Sequence, residues 1–488
     1  MRLTRRTLLG TVWATGVAAC AGAPRIGATG SEADATEIAN LIGSGRMSAA
    51  EAVEAAIARA QTVQPKINFM VSDTFAAARA RAANPGSGPF AGVPYLIKDL
   101  NGVTGAVTRH GSRATEGAAA AAEQDVYVAA TLDTGLICIG KSATPESGYL
   151  PTTEPLAFGP SRNPWDTGRS TGGSSGGAAA AVAAGVVPMA HANDGGGSIR
   201  FPAANCGLVG LKPSRGRLVS EGKPGPTDIA VQGCVSHTVR DTAKLLSLTE
   251  RKGGDAVHAP VGYIDGPVRR KLRVGMITKG FAGNEADKEV AAAVHNAALM
   301  MEGLGHTVTQ TDWPTAATFQ DDFLAFWSLG AAQDIAGATA LYNRPATTDW
   351  FEPFSLRMAE DAAKLSEADI GAVIQRLMAA TAAYNAWMNS FDIVLSPVFS
   401  SPPSPLGYLR GDVPFDTLRE RLLQQVGYTL IHNVSGAPAV SLPLGRLHSD
   451  LPIGVQVGGA MGADGLLLEV AYLFEEAMPW RSHRAKLT

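Results

Sequence analysis

A lysine and two serines are the side chains here that could do chemistry together. Lys98 closes the apolar run Val-Pro-Tyr-Leu-Ile-Lys (93–98), where an unpaired buried ammonium would be strongly unfavourable. Burial lowers a lysine pKa, and a neutral amine is a usable general base. Ser174 lies in Ser-Thr-Gly-Gly-Ser-Ser-Gly-Gly (170–177), and Ser198 in Asn-Asp-Gly-Gly-Gly-Ser-Ile-Arg (193–200). Glycine suits places where a ligand meets bare backbone, because no Cβ intrudes. Consecutive N–H groups in such a loop can converge on an anion. A serine beside them is a candidate nucleophile with its oxyanion donors attached. Two plainer readings compete: Lys98 pairing with Asp99 or reaching solvent, and the glycine loops serving as linkers. Linkers do not usually flank a compact apolar run such as 178–187.

These groups need a scaffold. Residues 34–82 carry helical periodicity, with Ile38, Leu41 and Ile42 on one face and a capping box from Ser48 to Glu51. Asn-Pro-Gly-Ser-Gly (84–88) breaks the chain. Residues 89–97 read as a short strand, its pairing limited by Pro94, delivering Lys98 into a loop. The Ala-rich run 178–187 reads as a helix between the two serine loops. Further on, 271–277, 306–310 and 391–397 read as strands, 287–304 as a helix ended by Gly305, and 466–476 as the last helix. Residues 314–390 look helical. They carry Phe323, Phe326, Trp327, Tyr342, Trp350, Phe351, Phe354 and Trp387, expected either to roof a cleft or to pack helices together. This alternation predicts one large α/β domain over 31–488, a mixed central sheet covered by helices on both faces.

Composition narrows the class. The 488 residues are 45% hydrophobic, enough for a sizeable core, and 17% charged, below the roughly 25% usual in soluble domains. Net charge is −3, and no Lys/Arg block lies beyond the N-terminus, so nothing recruits nucleic acid electrostatically. Of four cysteines, Cys138, Cys206 and Cys234 sit in apolar surroundings and read as buried small hydrophobes. No Cys/His spacing resembles a metal site. The basic start with Arg5-Arg6, followed by the apolar run 8–19, reads as an export signal of twin-arginine type. Val-Ala-Ala-Cys (17–20) resembles a lipobox, so Cys20 is a candidate lipid anchor, in competition with simple cleavage within 19–23. Residues 1–30 are therefore assigned to signal and linker.

Two motif matches mislead. Gly135 to Ser142 fits G-x-x-x-x-G-K-S, but Leu136 to Ile139 read as a buried strand whose bulk opposes a phosphate nest. Gly172 to Gly176 fits G-x-S-x-G, but the polar, Pro164-broken stretch before it is not the strand a nucleophile elbow needs. That elbow would also need a histidine, such as His237 or His432.

Taken in order, Gly-Val-Pro-Tyr-Leu-Ile-Lys-Asp (92–99), Gly-Lys-Ser-Ala-Thr-Pro-Glu (140–146), Asn-Pro-Trp (163–165), Gly-Gly-Ser-Ser-Gly-Gly (172–177), Asp-Gly-Gly-Gly-Ser-Ile-Arg-Phe-Pro-Ala (194–203) and Cys-Gly-Leu-Val-Gly-Leu-Lys-Pro-Ser (206–214) resemble the amidase signature family. Gly-Ala-Pro-Ala-Val-Ser-Leu-Pro (436–443) and Leu-Pro-Ile-Gly-Val-Gln (451–456) continue the likeness, which covers nearly everything after the leader. The resemblance implies a Ser-cisSer-Lys triad. In it Ser198 is the nucleophile, Ser174 the bridging serine on a cis peptide bond, and Lys98 the base. It implies an oxyanion hole from the backbone of Gly195, Gly196, Gly197 and Ser198. Asp194 and Arg200 would brace the loop, and Tyr149 would border the acyl pocket or pack as a plain aromatic. Many family members carry Thr or Ile where this chain has Gly195. The Asp-Gly-Gly-Gly-Ser form resembles the branch containing 6-aminohexanoate cyclic-dimer hydrolases and some peptide amidases.

The implied function is cofactor-free, metal-free hydrolysis of a small amide, lactam or oligoamide through an acyl-enzyme. Two alternatives remain. A glutamine-amidase subunit of a tRNA-dependent amidotransferase is opposed by the export signal. A non-catalytic binding lipoprotein on an amidase scaffold is opposed by the three filled catalytic positions. The expected partner is a small-molecule amide, with no nucleic acid, membrane contact only through Cys20, and homodimerisation left open.

Overall fold

The computed structural model describes residues 32–487, so the expected signal over 1–30, with Cys20, lies outside the described residues. Eight strands form the central sheet, in the order Thr307–Gln310, Arg273–Met276, Ile393–Pro397, Pro452–Gly458, Ala439–Arg446, Val209–Lys212, Val231–Ser236 and Met189–Asp194. The first three pair in parallel and the rest antiparallel, so the sheet is mixed, as the α/β alternation predicts.

Strand Pro452–Gly458 shows how the layers divide. Side chains alternate across a strand. Ile453, Val455 and Val457 join an apolar cluster with Val290 and Val294 of helix Lys288–Gly303 and with Leu467 and Leu468 of helix Asp464–Ala477. Burying each such side chain contributes about 1.5–3 kcal/mol. Gly454, Gln456 and Gly458 face the other way. A Cβ on Gly454 would stand 2.4 Å from Ala204 Cβ, so its absence lets helix Arg200–Cys206 lie directly on the sheet.

A second, three-stranded sheet runs Met70–Asp73, Ile137–Ser142, Pro94–Lys98. It abuts the edge strand Met189–Asp194, where the Lys98 N–H donates to His191 Nδ1 at 3.2 Å. Helix Gly176–Ala183 fills the angle between the sheets, buried at all eight residues. An all-apolar helix of small residues has no face to offer water, and burial is its only stable place. Helices Phe319–Tyr342, Pro353–Ala362, Glu367–Trp387, Phe415–Gln425 and Leu430–Ser435 cover the site end of the molecule.

Several expected bounds move. The Ser48–Glu51 capping box opens helix Ala49–Ile67 as read. The helical stretch 34–82, however, is interrupted by strand Met70–Asp73. Its four residues are too few to register against the alanine periodicity around them, and pairing with Ile137–Ser142 fixes them. The Ala-rich helix ends at Ala183, not 187, because Gly185 takes a positive φ of 71° and turns the chain into strand Met189–Asp194. Lys98 is the last residue of its strand rather than the first of a loop. Gly140, Lys141 and Ser142 lie in a strand, which removes the P-loop reading.

The packing of helix Gly176–Ala183 yields a test. A Cβ on Gly177 would come within 2.4 Å of both Ala143 N and Phe69 O, two backbone atoms that cannot swing aside. Gly177→Ala should destabilise the protein by about 1–3 kcal/mol, read as a lowered midpoint in urea or thermal unfolding. An unchanged midpoint would mean the two segments are not seated this closely.

Candidate active site

Every residue of strand Pro94–Lys98 is buried, and the strand aims the Lys98 amine between two neutral oxygens. Lys98 Nζ lies 2.6 Å from Ser174 Oγ and 2.6 Å from Asn193 Oδ1. Among the described residues, no carboxylate touches it. Burial pushes its pKa well below the usual 10.5, against a smaller pull from Asp194 in the other direction. The competing pairing with Asp99 is not made. Asp99 faces Lys141 at 3.4 Å, both side chains fully buried, and Lys141 Nζ also donates to Asn101 O and Thr108 Oγ1. The lysine of the false P-loop thus neutralises the carboxylate beside Lys98. His191, which accepts the Lys98 N–H, is driven by burial down to about 3 and is neutral.

Ser174 reaches Lys98 from a loop pinned on both sides. The Gly173–Ser174 peptide is cis. Thr153 Oγ1 donates to Gly172 O at 3.0 Å and accepts the Gly176 N–H at 3.1 Å. A Cβ on Gly148 would sit 3.1 Å from Ser174 Oγ, so this glycine forms the wall over that hydroxyl.

Ser198 follows the turn after strand Met189–Asp194. Asp194 and Arg200 clamp this turn as a side-on fork. Arg200 Nε and Nη2 each lie 2.9 Å from a carboxylate oxygen of Asp194. Asn433 Nδ2 adds a bond to Asp194 Oδ1, and Arg200 Nη1 donates to Thr429 O and Gln456 Oε1. Burial alone would raise the Asp194 pKa; Arg200 overrides this and holds the carboxyl far below its usual range. The Ile199 N–H is tied to Asp194 Oδ2 at 3.1 Å. Among the described residues, the N–H groups of Gly195, Gly196, Gly197 and Ser198 have no acceptor. Four adjacent unpaired donors are what an anion would need.

A cavity opens over Ser198 and Gly196. Its walls are mostly apolar: Leu150, Phe323, Trp327, Phe354 and Leu422 among them, with Gly148 and Tyr149 on one side. Gly148 thus lines the cavity that holds Ser198 and also stands next to the Ser174 hydroxyl. Tyr149 borders it, edge-on to Trp327 at 5.5 Å, its hydroxyl donating to Asp334 Oδ2 at 2.6 Å. Of the eight aromatics expected between 314 and 390, Phe323, Trp327 and Phe354 line this space. Tyr342 and Phe351 line a neighbouring one, and Trp387 packs against Trp313, Tyr384 and Phe391.

Sequence reasoning missed Asn193, Thr153 and Asn433, whose side chains hold the lysine, the first loop and the second turn. Asn193 stands directly before Asp194 in the second glycine loop, but nothing in its spacing marks an amide as a lysine partner. The histidines that an elbow mechanism needs are engaged elsewhere: His237 Nε2 with Val182 O at 2.8 Å, and His432 against Arg200.

One family model, "Amidase", matches residues 51–468 of the sequence, a span that holds the buried lysine and both serines. The chain belongs to this family, the amidase signature enzymes, and is a hydrolase acting on amide bonds. It is 38% identical to a 6-aminohexanoate-cyclic-dimer hydrolase of Pseudomonas sp. (strain NK87), covering 93% of this chain and 96% of that one. A solved structure of 6-aminohexanoate cyclic dimer hydrolase complexed with substrate superposes with TM-score 0.86 at 35% identity, covering 94% of this chain and 99% of the other. A bacterial aryl acylamidase of the amidase signature family superposes with TM-score 0.81 at 26% identity, over 92% and 96%.

The buried fork predicts a large penalty for breaking it on one side. Asp194→Asn leaves the Arg200 charge unpaired in the interior and should cost about 3–5 kcal/mol, measured by denaturant unfolding. Adding Arg200→Met in the same chain should recover part of that loss. A single mutant as stable as the parent would remove the fork from its bracing role.

Proposed function

We propose that this enzyme hydrolyses small neutral amides, lactams or oligoamides through an acyl-enzyme on Ser198, with Ser174 as proton bridge and Lys98 as base. The reading rests above all on the 2.6 Å contact between Ser174 Oγ and a fully buried Lys98 amine that no carboxylate among the described residues touches. Neutral Nζ has a lone pair, and Ser174 can donate into it while accepting from Ser198. As the Ser198 oxygen bonds to the amide carbon, its proton moves to Ser174 Oγ and the Ser174 proton moves to Nζ. The carbonyl oxygen takes up negative charge beside the free N–H groups of Gly195 to Ser198. Losing one such donor typically costs about 3–4 kcal/mol of transition-state stabilisation. The C–N bond then breaks, and the leaving nitrogen takes the proton back along the same path. Water repeats the sequence on the ester, freeing the acid and restoring Ser198.

Substrate class is inferred from the walls. A cavity lined by Leu150, Phe323, Trp327 and Phe354 has no charged group to pair with an ionic acyl chain. Burying charge there would be unfavourable, and burying methylenes favourable. The neighbouring relatives that open 6-aminohexanoate cyclic dimer support the oligoamide end of this range. We further propose that residues 1–30 export the enzyme, with Cys20 lipidation as one route. Mass spectrometry of the exported protein separates an N-terminal lipidated Cys20 from a chain starting beyond it.

Three measurements test the catalytic reading. A fluorophosphonate should add its phosphonyl mass to Ser198, and Ser198→Ala should abolish both labelling and hydrolysis. Labelling of any other serine refutes the assignment. Lys98 acts only when neutral, and its folded pKa is depressed, so kcat/KM should hold above that pKa and fall as pH drops through it. A rate flat down to about pH 5 would count against Lys98 as the base. Hexanoyl anilide should exceed the anilide of a dicarboxylic half-acid of equal length by about 100-fold or more, since an unpaired buried carboxylate costs several kcal/mol. Equal rates would overturn the assignment of a neutral acyl pocket.

A further inference from the structure

The proton relay leaves one contact of the Lys98 amine unexplained. Asn193 Oδ1 lies as close to Nζ as Ser174 does, 2.6 Å. An amide can present either its oxygen or its NH2 group, and only the oxygen can accept from the amine. What decides between them lies two residues further away. Asp125 Oδ2 is 2.8 Å from Asn101 Nδ2, and a carboxylate oxygen accepts without donating. Asn101 must therefore turn its NH2 to Asp125 and its Oδ1 the other way. That Oδ1 takes the Asn193 NH2 at 3.3 Å, which leaves Asn193 Oδ1 facing the lysine. Backbone bonds hold both amides in register. Asn101 O accepts Lys141 Nζ at 2.7 Å, and Asn193 O accepts the Ser175 hydroxyl at 3.3 Å.

We infer that Asp125, Asn101 and Asn193 form a polarised hydrogen-bond chain that engages one N–H of Lys98 and so aims the amine lone pair at Ser174. The three are positioning residues. This rests on Lys98 being the base. A neutral amine has two N–H bonds and one lone pair. Unless one N–H is claimed, rotation about Cε–Nζ presents an N–H to Ser174 as readily as the lone pair, and a base that offers a proton cannot take one. The chain also accepts from the ammonium formed during turnover, stabilising it where no carboxylate does. The titratable groups packed around Lys98 are Asp194 and His191 on strand Met189–Asp194, Asp99 next in the chain, Lys141 on the adjoining strand, and Asp125 at the far end of the amide chain.

The test compares pH profiles, because a merely structural role for Asn193 would not move them in opposite directions. With hexanoyl p-nitroanilide as probe, Asn193→Leu should lower kcat about tenfold with KM within about twofold, and move the acid limb of kcat/KM to lower pH by about one unit. Asn193→Asp adds charge beside the amine and should move that limb to higher pH. Asp125→Ala should shift it the same way as Asn193→Leu but by less, and Asp125→Glu, which restores an acceptor, should recover the parent profile. If Asp125→Ala melts below the assay temperature, Asn101→Leu cuts the same chain and is read by the same limb. Asn193 variants that shift together or not at all, or an intact limb in Asp125→Ala or Asn101→Leu, overturn the inference. Lys98→Ala keeps the two levels apart. If it is inactive while those limbs stay put, the chain falls and the base stands; if it is active, the base itself falls.

Discussion

The fork between Asp194 and Arg200 is the constraint on which the site depends. It joins the edge strand Met189–Asp194 to helix Arg200–Cys206 across five residues, and the Thr429 hydroxyl, donating to Gly196 O at 2.6 Å, adds a second tie to the turn between them. Because Asp194 claims the Ile199 N–H, the preceding four N–H groups are left outside the helix and outside the sheet. Arg200 then carries the tie outward, to Thr429 O, Asn433 Oδ1 and Gln456 Oε1. A fully buried ion pair is a poor source of stability, since desolvation offsets most of the attraction. Here both ions have their remaining hydrogen-bonding capacity filled, so the pair fixes geometry without leaving an orphan charge. Leucine and methionine in its place would pack, but they would not orient the turn.

Two buried lysines on paired strands of the second sheet show how surroundings assign different roles to one side chain. Lys141 has Asp99, a backbone carbonyl and a threonine hydroxyl for its three donors, so its charge is compensated. Asp99 in turn is raised by burial only to about 6, with Lys141 drawing it back down. Lys98 has two neutral oxygens and, among the described residues, no anion in contact. The same burial that Lys141 survives as a cation makes a cation at Lys98 unfavourable.

The parts of this arrangement differ in how readable they were. Lys98, Ser174 and Ser198 were legible because each breaks a local rule: a charge closing an apolar strand, and serines in glycine loops beside a buried helix. Their association was not legible from residue types alone. It needed the resemblance of ordered motifs, since 76 residues separate Lys98 from Ser174. The long helices and the parallel strands were readable from periodicity. Strand Met70–Asp73 was not, because three half-buried residues and one exposed one carry no period of their own. Asn193 and Asn433 were silent because an asparagine in a motif has the same appearance whether it turns a loop, caps a helix or orients a lysine. Their roles depend on partners 95 and 239 residues away, respectively.

The two faces of strand Pro452–Gly458 explain why such a site can sit on this sheet at all. Valines and isoleucine on one face supply cohesion through contacts with two helices. The opposite face gives up that cohesion at three positions: Gly454 admits a helix backbone, Gln456 bonds to Arg200, Ser396 and the Tyr428 carbonyl, and Gly458 makes room for His432. Burial on a period of two thus separates stability from chemistry within one element. Polar groups can be buried on the site face because the other face already anchors the strand. Gln456 finds its partners across the sheet, in Arg200, Ser396 and the Tyr428 carbonyl, and through Arg200 it ties the sheet to the turn at Ser198 beneath an apolar cavity.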